Sequence, residues 1–95
     1  MKMKQYLTKI EFYRTQNGGR VNNLANVNYR PILIVGTNYY HCQITIAPDL
    51  LIHPGDIIEI KLNTLDNCCL LPGDEFFLKE LEIIAKGQII SEIRT

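Results

Sequence analysis

The residues best equipped for chemistry in this 95-residue chain are two histidines, three cysteines and a scatter of acids. His41 and Cys42 are neighbours, and Cys68 and Cys69 form a second adjacent pair. Together they supply the donor types of a zinc site, but the spacing works against one. Adjacent residues of a strand point to opposite faces, and metal sites usually separate their ligands by two or more residues. Cys42 reads better as a small core residue, with Cys68 and Cys69 in a loop-like stretch. An odd cysteine count with an adjacent pair makes a poor disulfide framework, so reduced thiols are expected. A cysteine nucleophile would need a base held by a third group. His41 and His53 are the only histidines, His53 precedes a proline turn, and no orienting partner stands out. Asp74, Glu75, Glu80 and Glu82 fall in turn and strand-edge contexts that favour solvated surface over acid–base work. The chain is therefore read as no enzyme, with no catalytic residue, cofactor or metal expected.

The remaining polar candidates are binding groups. Gly18-Gly19-Arg20 offers either an anion-holding nest of backbone N–H groups or, more simply, a turn that needs positive φ. Arg30 precedes an apolar run; it is either an internal clamp on loop carbonyls or an acid such as Glu92, or a fork for a partner's carboxylate or phosphate. Tyr39 and Tyr40 flank a turn and start a strand, so one should face inward and one outward. An exposed tyrosine supplies contact area at low entropic cost, and a strand-stabilising aromatic is the plainer reading. With Lys79 and Lys86, these give the expected partner-binding set: Arg20, Arg30, Tyr39, Tyr40, Lys79 and Lys86.

The elements that must position them are strands. Tyr6, Thr8, Ile10 and Phe12 alternate with Leu7, Lys9, Glu11 and Tyr13, a period of two that buries one face. Thr15 to Gly19 breaks the pattern as a turn, and Arg20 to Asn28, rich in Asn, reads as a loop or irregular edge. Pro31 to Gly36 is a short apolar run fit for a buried strand. Tyr40, Cys42, Ile44 and Ile46 share one face of the next strand; Ile57 to Leu62 carries Glu59 and Lys61 outward. Phe76 to Leu81 and Ile89 to Ile93 are the last clear strands. Leu78 to Ala85 clusters helix formers, yet its apolar positions fit a hairpin. Pro54-Gly55-Asp56 and Pro72-Gly73-Asp74 form a small repeat, each a turn feeding a strand. Six or so short strands with frequent turns point to an all-β closed barrel or sandwich in a single domain spanning 1–95.

Three motifs carry a resemblance. Gly18-Gly19-Arg20 after the first strand, Tyr29-Arg30-Pro31 opening the second and Pro54-Gly55-Asp56 before a central strand stand in the order found in the C-terminal, third barrel domain of elongation factor Tu. The resemblance covers about residues 6–93. It implies a small six-stranded antiparallel β-barrel, and a setting in bacterial translation in which that domain contacts tRNA and protein partners. A late hairpin that runs Arg-Glu-Gly-Gly-Arg-Thr in that family corresponds here to Lys79-Glu80-Leu81-Glu82-Ile83-Ile84. Both glycines and the second arginine are replaced, which weakens any approach to a phosphate backbone. The Gly-x-x-x-x-Gly-Lys-[Ser/Thr] loop is absent from the sequence, so no GTP binding by this chain is expected.

Hydrophobic residues make up 46% of the chain, enough for one core, and ten basic residues cancel ten acidic ones. A balanced charge gives no general field to gather nucleic acid or an anionic membrane. No signal-peptide pattern or membrane-length apolar run appears, so a cytoplasmic protein is expected. The expected function is a non-catalytic binding module that docks a protein partner or weakly contacts tRNA. The alternative is an immunity or decoy protein that mimics elongation factor Tu against a toxin.

Overall fold

A computed structural model describes residues 3–25, 28–66 and 68–94. Among the described residues nine strands follow one another: β1 (Lys4–Phe12), β2 (Leu24–Ala25), β3 (Asn28–Tyr29), β4 (Ile32–Val35), β5 (Asn38–Thr45), β6 (Leu51–Ile52), β7 (Ile57–Thr64), β8 (Glu75–Lys79) and β9 (Ile83–Ile93). The one helical piece among the described residues is a 3₁₀ turn at Thr15–Asn17. Among the described residues no helix is long and apolar enough to cross a membrane.

Six strands close on themselves in the order β5-β4-β8-β9-β1-β7, with β7 returning to β5. All the pairings are antiparallel. The architecture is an all-β, six-stranded closed barrel, one of the two forms that strand count and turn spacing leave open and the one the resemblance implies. The extra strand β3 pairs with β5 at Asn28↔Thr45 and Tyr29↔Ile44, in the register that β4 continues at Ile32↔His41. β3 and β4 are thus one strand interrupted at Arg30-Pro31, where proline has no N–H to give a ladder. The Arg20–Asn28 segment, expected to be loop or irregular edge, contributes β2 and the first residue of β3; its Asn26 and Val27 lie outside the described residues. β2 finds its partner in β6, through Leu24↔Ile52 and Ala25↔Leu51.

The period-two pattern does what it must. Tyr6, Thr8, Ile10 and Phe12 of β1 are all buried, as are Cys42, Ile44 and Ile46. Two inward hydroxyls are satisfied across the β1–β7 pair: Thr8 Oγ1 donates to the Ile60 carbonyl at 2.8 Å, and Thr64 Oγ1 to the Lys4 carbonyl at 3.4 Å. An unmet buried hydroxyl would cost about 1–3 kcal/mol. At one end the Leu70 N–H donates to the Tyr6 hydroxyl at 3.3 Å, tying the 68–71 loop across the barrel mouth.

The two proline turns are structural twins. The Asp56 N–H donates to the His53 carbonyl at 3.0 Å, and the Asp74 N–H to the Leu71 carbonyl at 3.0 Å. In each, the aspartate carboxylate accepts the N–H of the residue before proline, at 2.8 Å from His53 and 2.8 Å from Leu71. Gly55 and Gly73 hold φ of 97° and 92°, a region that only glycine enters freely.

Phe76 and Gly87 face each other in the β8–β9 ladder and both point inward. A Cβ on Gly87 would stand 2.3 Å from the end of the Phe76 ring and 3.0 Å from the Lys9 carbonyl. Glycine at 87 is what admits the phenylalanine. Gly87→Ala should therefore lower stability by about 1–3 kcal/mol, the usual range for overpacking. Urea denaturation of Gly87→Ala, Phe76→Leu and the double variant checks this. The double variant should lose clearly less than the sum of the two singles.

Candidate functional site

The outer face of β5, β4, β8 and β9 carries a second apolar cluster, separate from the core. Ladder registers run a row of outward residues from Tyr39 through Ile34, Phe77, Lys86 and Glu11 to Ile57. The next row runs from His41 through Ile32 and Lys79 to Ile83. Ile34 points outward and stands outside the core cluster, yet it is only 7% exposed. Its cross-strand neighbours Tyr39 and Phe77 flank it, and they remain 62% and 40% exposed themselves. The Lys79 ammonium stands 5.7 Å from the centre of the Tyr39 ring, within cation–π range. From Phe77 a shallow groove of about 380 Å³ passes over Lys86 and Glu11 to Ile57. Lys86 Nζ lies 3.8 Å from Glu11 Oε1, a surface pair worth little by itself.

The β8–β9 hairpin tip beside this cluster is fixed from below. Arg20 forms an ion pair with Glu80, the Tyr29 hydroxyl donates to the same carboxylate, and the Arg20 guanidinium lies 5.5 Å from the Tyr29 ring centre. Tyr29 is buried, and burial followed by the Glu80 carboxylate pushes its phenol well above the ordinary tyrosine range. The clamp joins three remote stretches, the loop after β1, strand β3 and the tip after β8. It holds the 80–82 turn so that Leu81, 94% exposed, projects at the edge of the outer cluster.

The structure separates the sequence-derived candidates. Tyr39, Lys79 and Lys86 share the outer face. Tyr40 turns the other way and packs against the core, so the two tyrosines divide as expected. Arg20 is tied into the clamp, and Arg30 is exposed, with Nε donating to Gln43 Oε1 at 3.0 Å rather than to Glu92. Gly18 and Gly19 spend their N–H groups on the Thr15 and Arg14 carbonyls at 3.2 Å and 3.0 Å. They form a turn, with no donors left to cradle an anion. Sequence reasoning passed over Phe77, Ile83 and Ile34. The available signal was parity: if Phe76 and Leu78 face inward, Phe77 must face outward.

The chemistry-bearing residues stay apart. His41 is exposed and its Nδ1 meets Asp66 Oδ2 at 2.9 Å, while Cys42 is buried on the opposite face. The His41 backbone N–H and then its side chain hold the Asp66 carboxyl below the ordinary carboxylate range. Burial, with the nearby Cys68 thiol, pushes the Cys42 thiol up to about 12. Cys68 is buried and raised for the same reason, whereas Cys69 is exposed. Among the described residues no three His, Cys, Asp or Glu side chains gather as a metal site would need. No protein-family model matches the chain, and none of the curated proteins compared with it is similar.

Two outcomes test this geometry. A thiol-reactive dye at neutral pH should label one cysteine quickly in the native protein, Cys69, and all three in denaturant; Cys69→Ser should abolish the fast phase. Tyr29, with its folded-state pKa raised, contributes stability that is complete below the unfolded tyrosine pKa of about 10 and is lost as pH climbs above it. Urea midpoints should fall above that pH, and Tyr29→Phe should flatten the decline.

Proposed function

We propose that the barrel is a non-catalytic binding module that docks a protein partner on the outer face of β5, β4, β8 and β9. The observation that supports this most is the outer cluster, in which Tyr39 and Phe77 stand exposed around an outward isoleucine, with Lys79 and Lys86 beside them. Solvent-facing strand positions are ordinarily polar, and a tyrosine–phenylalanine pair with flanking cations has the make-up of a binding hot spot. The clamp on Glu80 keeps the neighbouring tip ordered before a partner arrives, which lowers the entropy cost of docking.

The local charge favours a protein over a nucleic acid. Lys9, Lys79 and Lys86 are interleaved with Glu11 and Glu75 on the same face, leaving no unbroken basic stripe to follow a phosphate backbone. Likeness to the third barrel of elongation factor Tu supplies the setting, translation, and leaves weak tRNA contact through Lys79 as the lesser role.

The test is affinity capture with the immobilised barrel, reading protein and RNA together, for the wild type, Phe77→Ser and Lys79→Glu. A protein that binds the wild type should bind Phe77→Ser about thirtyfold more weakly, a hot-spot loss of about 2 kcal/mol. The urea midpoint should fall somewhat, because Phe77 helps to cover Ile34, so capture is compared where circular dichroism shows Phe77→Ser folded. RNA retained by the wild type and released by moderate salt or by Lys79→Glu would make tRNA the ligand instead. A partner that also attacks the elongation factor would make mimicry the better account.

A further inference from the structure

β7 is paired with β1 along its whole length, from Ile57↔Glu11 to Thr64↔Lys4. Its other edge meets β5 only at Asn63↔Gln43 and Thr64↔Cys42, extended one step where the Leu65 N–H donates to the His41 carbonyl at 2.9 Å. From Ile57 to Leu62 that edge has no strand beside it among the described residues. Antiparallel parity identifies the backbone groups left over. Leu65 faces β5, so by alternation Ile57, Glu59 and Lys61 aim their N–H and C=O groups toward the same open side. A second observation marks the opening. Ile58 and Ile60 point inward, opposite the fully buried Ile10 and Thr8, yet both are only half-buried. The barrel wall is incomplete next to them.

We propose that two copies of this chain pair through that edge, β7 against β7 in antiparallel register with Ile60 facing Ile60. The occupant is specified by charge. In this register Glu59 of each copy stands opposite Lys61 of the other, so both cross-strand pairs are of opposite sign. Glu59 and Lys61 are exposed, and neither makes an ion pair among the described residues, although Lys9 lies across the β1 ladder from Glu59. The register also suits the backbone at its centre: Glu59 and Lys61, whose outward N–H and C=O groups have no strand partner among the described residues, face one another and exchange hydrogen bonds, and the pairing stops short of Asn63, where β5 already occupies the edge. Ile58 and Ile60 of the two copies then cover each other across the opening. The contact is isologous, so it closes at a dimer and does not propagate into a fibre. The inference goes beyond the docking reading and uses an edge on β7 in place of the face around Tyr39.

Sedimentation equilibrium over a wide concentration range tests it. The wild type should show a monomer–dimer equilibrium. Lys61→Glu turns two attractive pairs into two repulsive ones and should weaken the dimer about ten- to thirtyfold, or about 1.4–2 kcal/mol over the two pairs together. Glu59→Lys should do the same, and the double exchange Glu59→Lys/Lys61→Glu should restore wild-type affinity. Amide hydrogen exchange should slow at Glu59 and Lys61 as the dimer forms. A wild type that stays monomeric at millimolar concentration overturns the proposal, as does a dimer that ignores the single exchanges or is not rescued by the double one. Both side chains are solvent-exposed, so far-ultraviolet circular dichroism should report an intact fold for every variant.

Discussion

The inside of a six-stranded barrel is narrow, and the rest of this molecule follows from how its few side chains share that space. Tyr6 and Phe76 are the largest fully buried residues. They fit because residues beside them are small: Gly87 against the Phe76 ring, Ala85 one position further along the inward face of β9, and Thr8 next to Tyr6 on the inward face of β1. With the interior filled in this way, only the outer surface is open to a partner. That is why an isoleucine, a phenylalanine and a tyrosine gathered on the outside carry more meaning than any of the polar groups within.

The clamp and the outer cluster form one mechanical unit. Glu80 is held by Arg20 and Tyr29, and its neighbour Lys79 reaches the Tyr39 ring. Arg20, one of the expected partner-binding residues, braces the hairpin whose other side presents the exposed groups. An arginine stacked on a buried tyrosine and paired with a carboxylate has little freedom left to lose.

Much of the fold was legible because a barrel repeats one simple rule. Alternation identified the buried faces of β1, β5 and β7, and the twin Pro-Gly-Asp turns announced two strand starts. The Leu78–Ala85 stretch folds as a hairpin despite its helix formers, since cross-strand burial of Leu78, Ile84 and Ala85 outweighs intrinsic preference. What was hidden is tertiary. β2 and β3 are two residues each and exist because Leu51–Ile52 and Ile44–Thr45 come to meet them. Whether Arg20 or Arg30 is tied down depends on Glu80, sixty positions from Arg20 in the chain. The resemblance drawn from Gly-Gly-Arg, Tyr-Arg-Pro and Pro-Gly-Asp implied a closed six-stranded barrel, and that architecture is present; a barrel by itself is shared by many unrelated proteins.

β1 lies between β7 and β9. β1 thus takes both its partners from far along the sequence, Gln5 meeting Asn63 on one side and Ile93 on the other. Closure joins positions almost a chain length apart, a topology whose loop entropy must be met before any contact rewards it. Few of the barrel's ladders are local, so most of its stability is gained late in folding, once those distant strands have met.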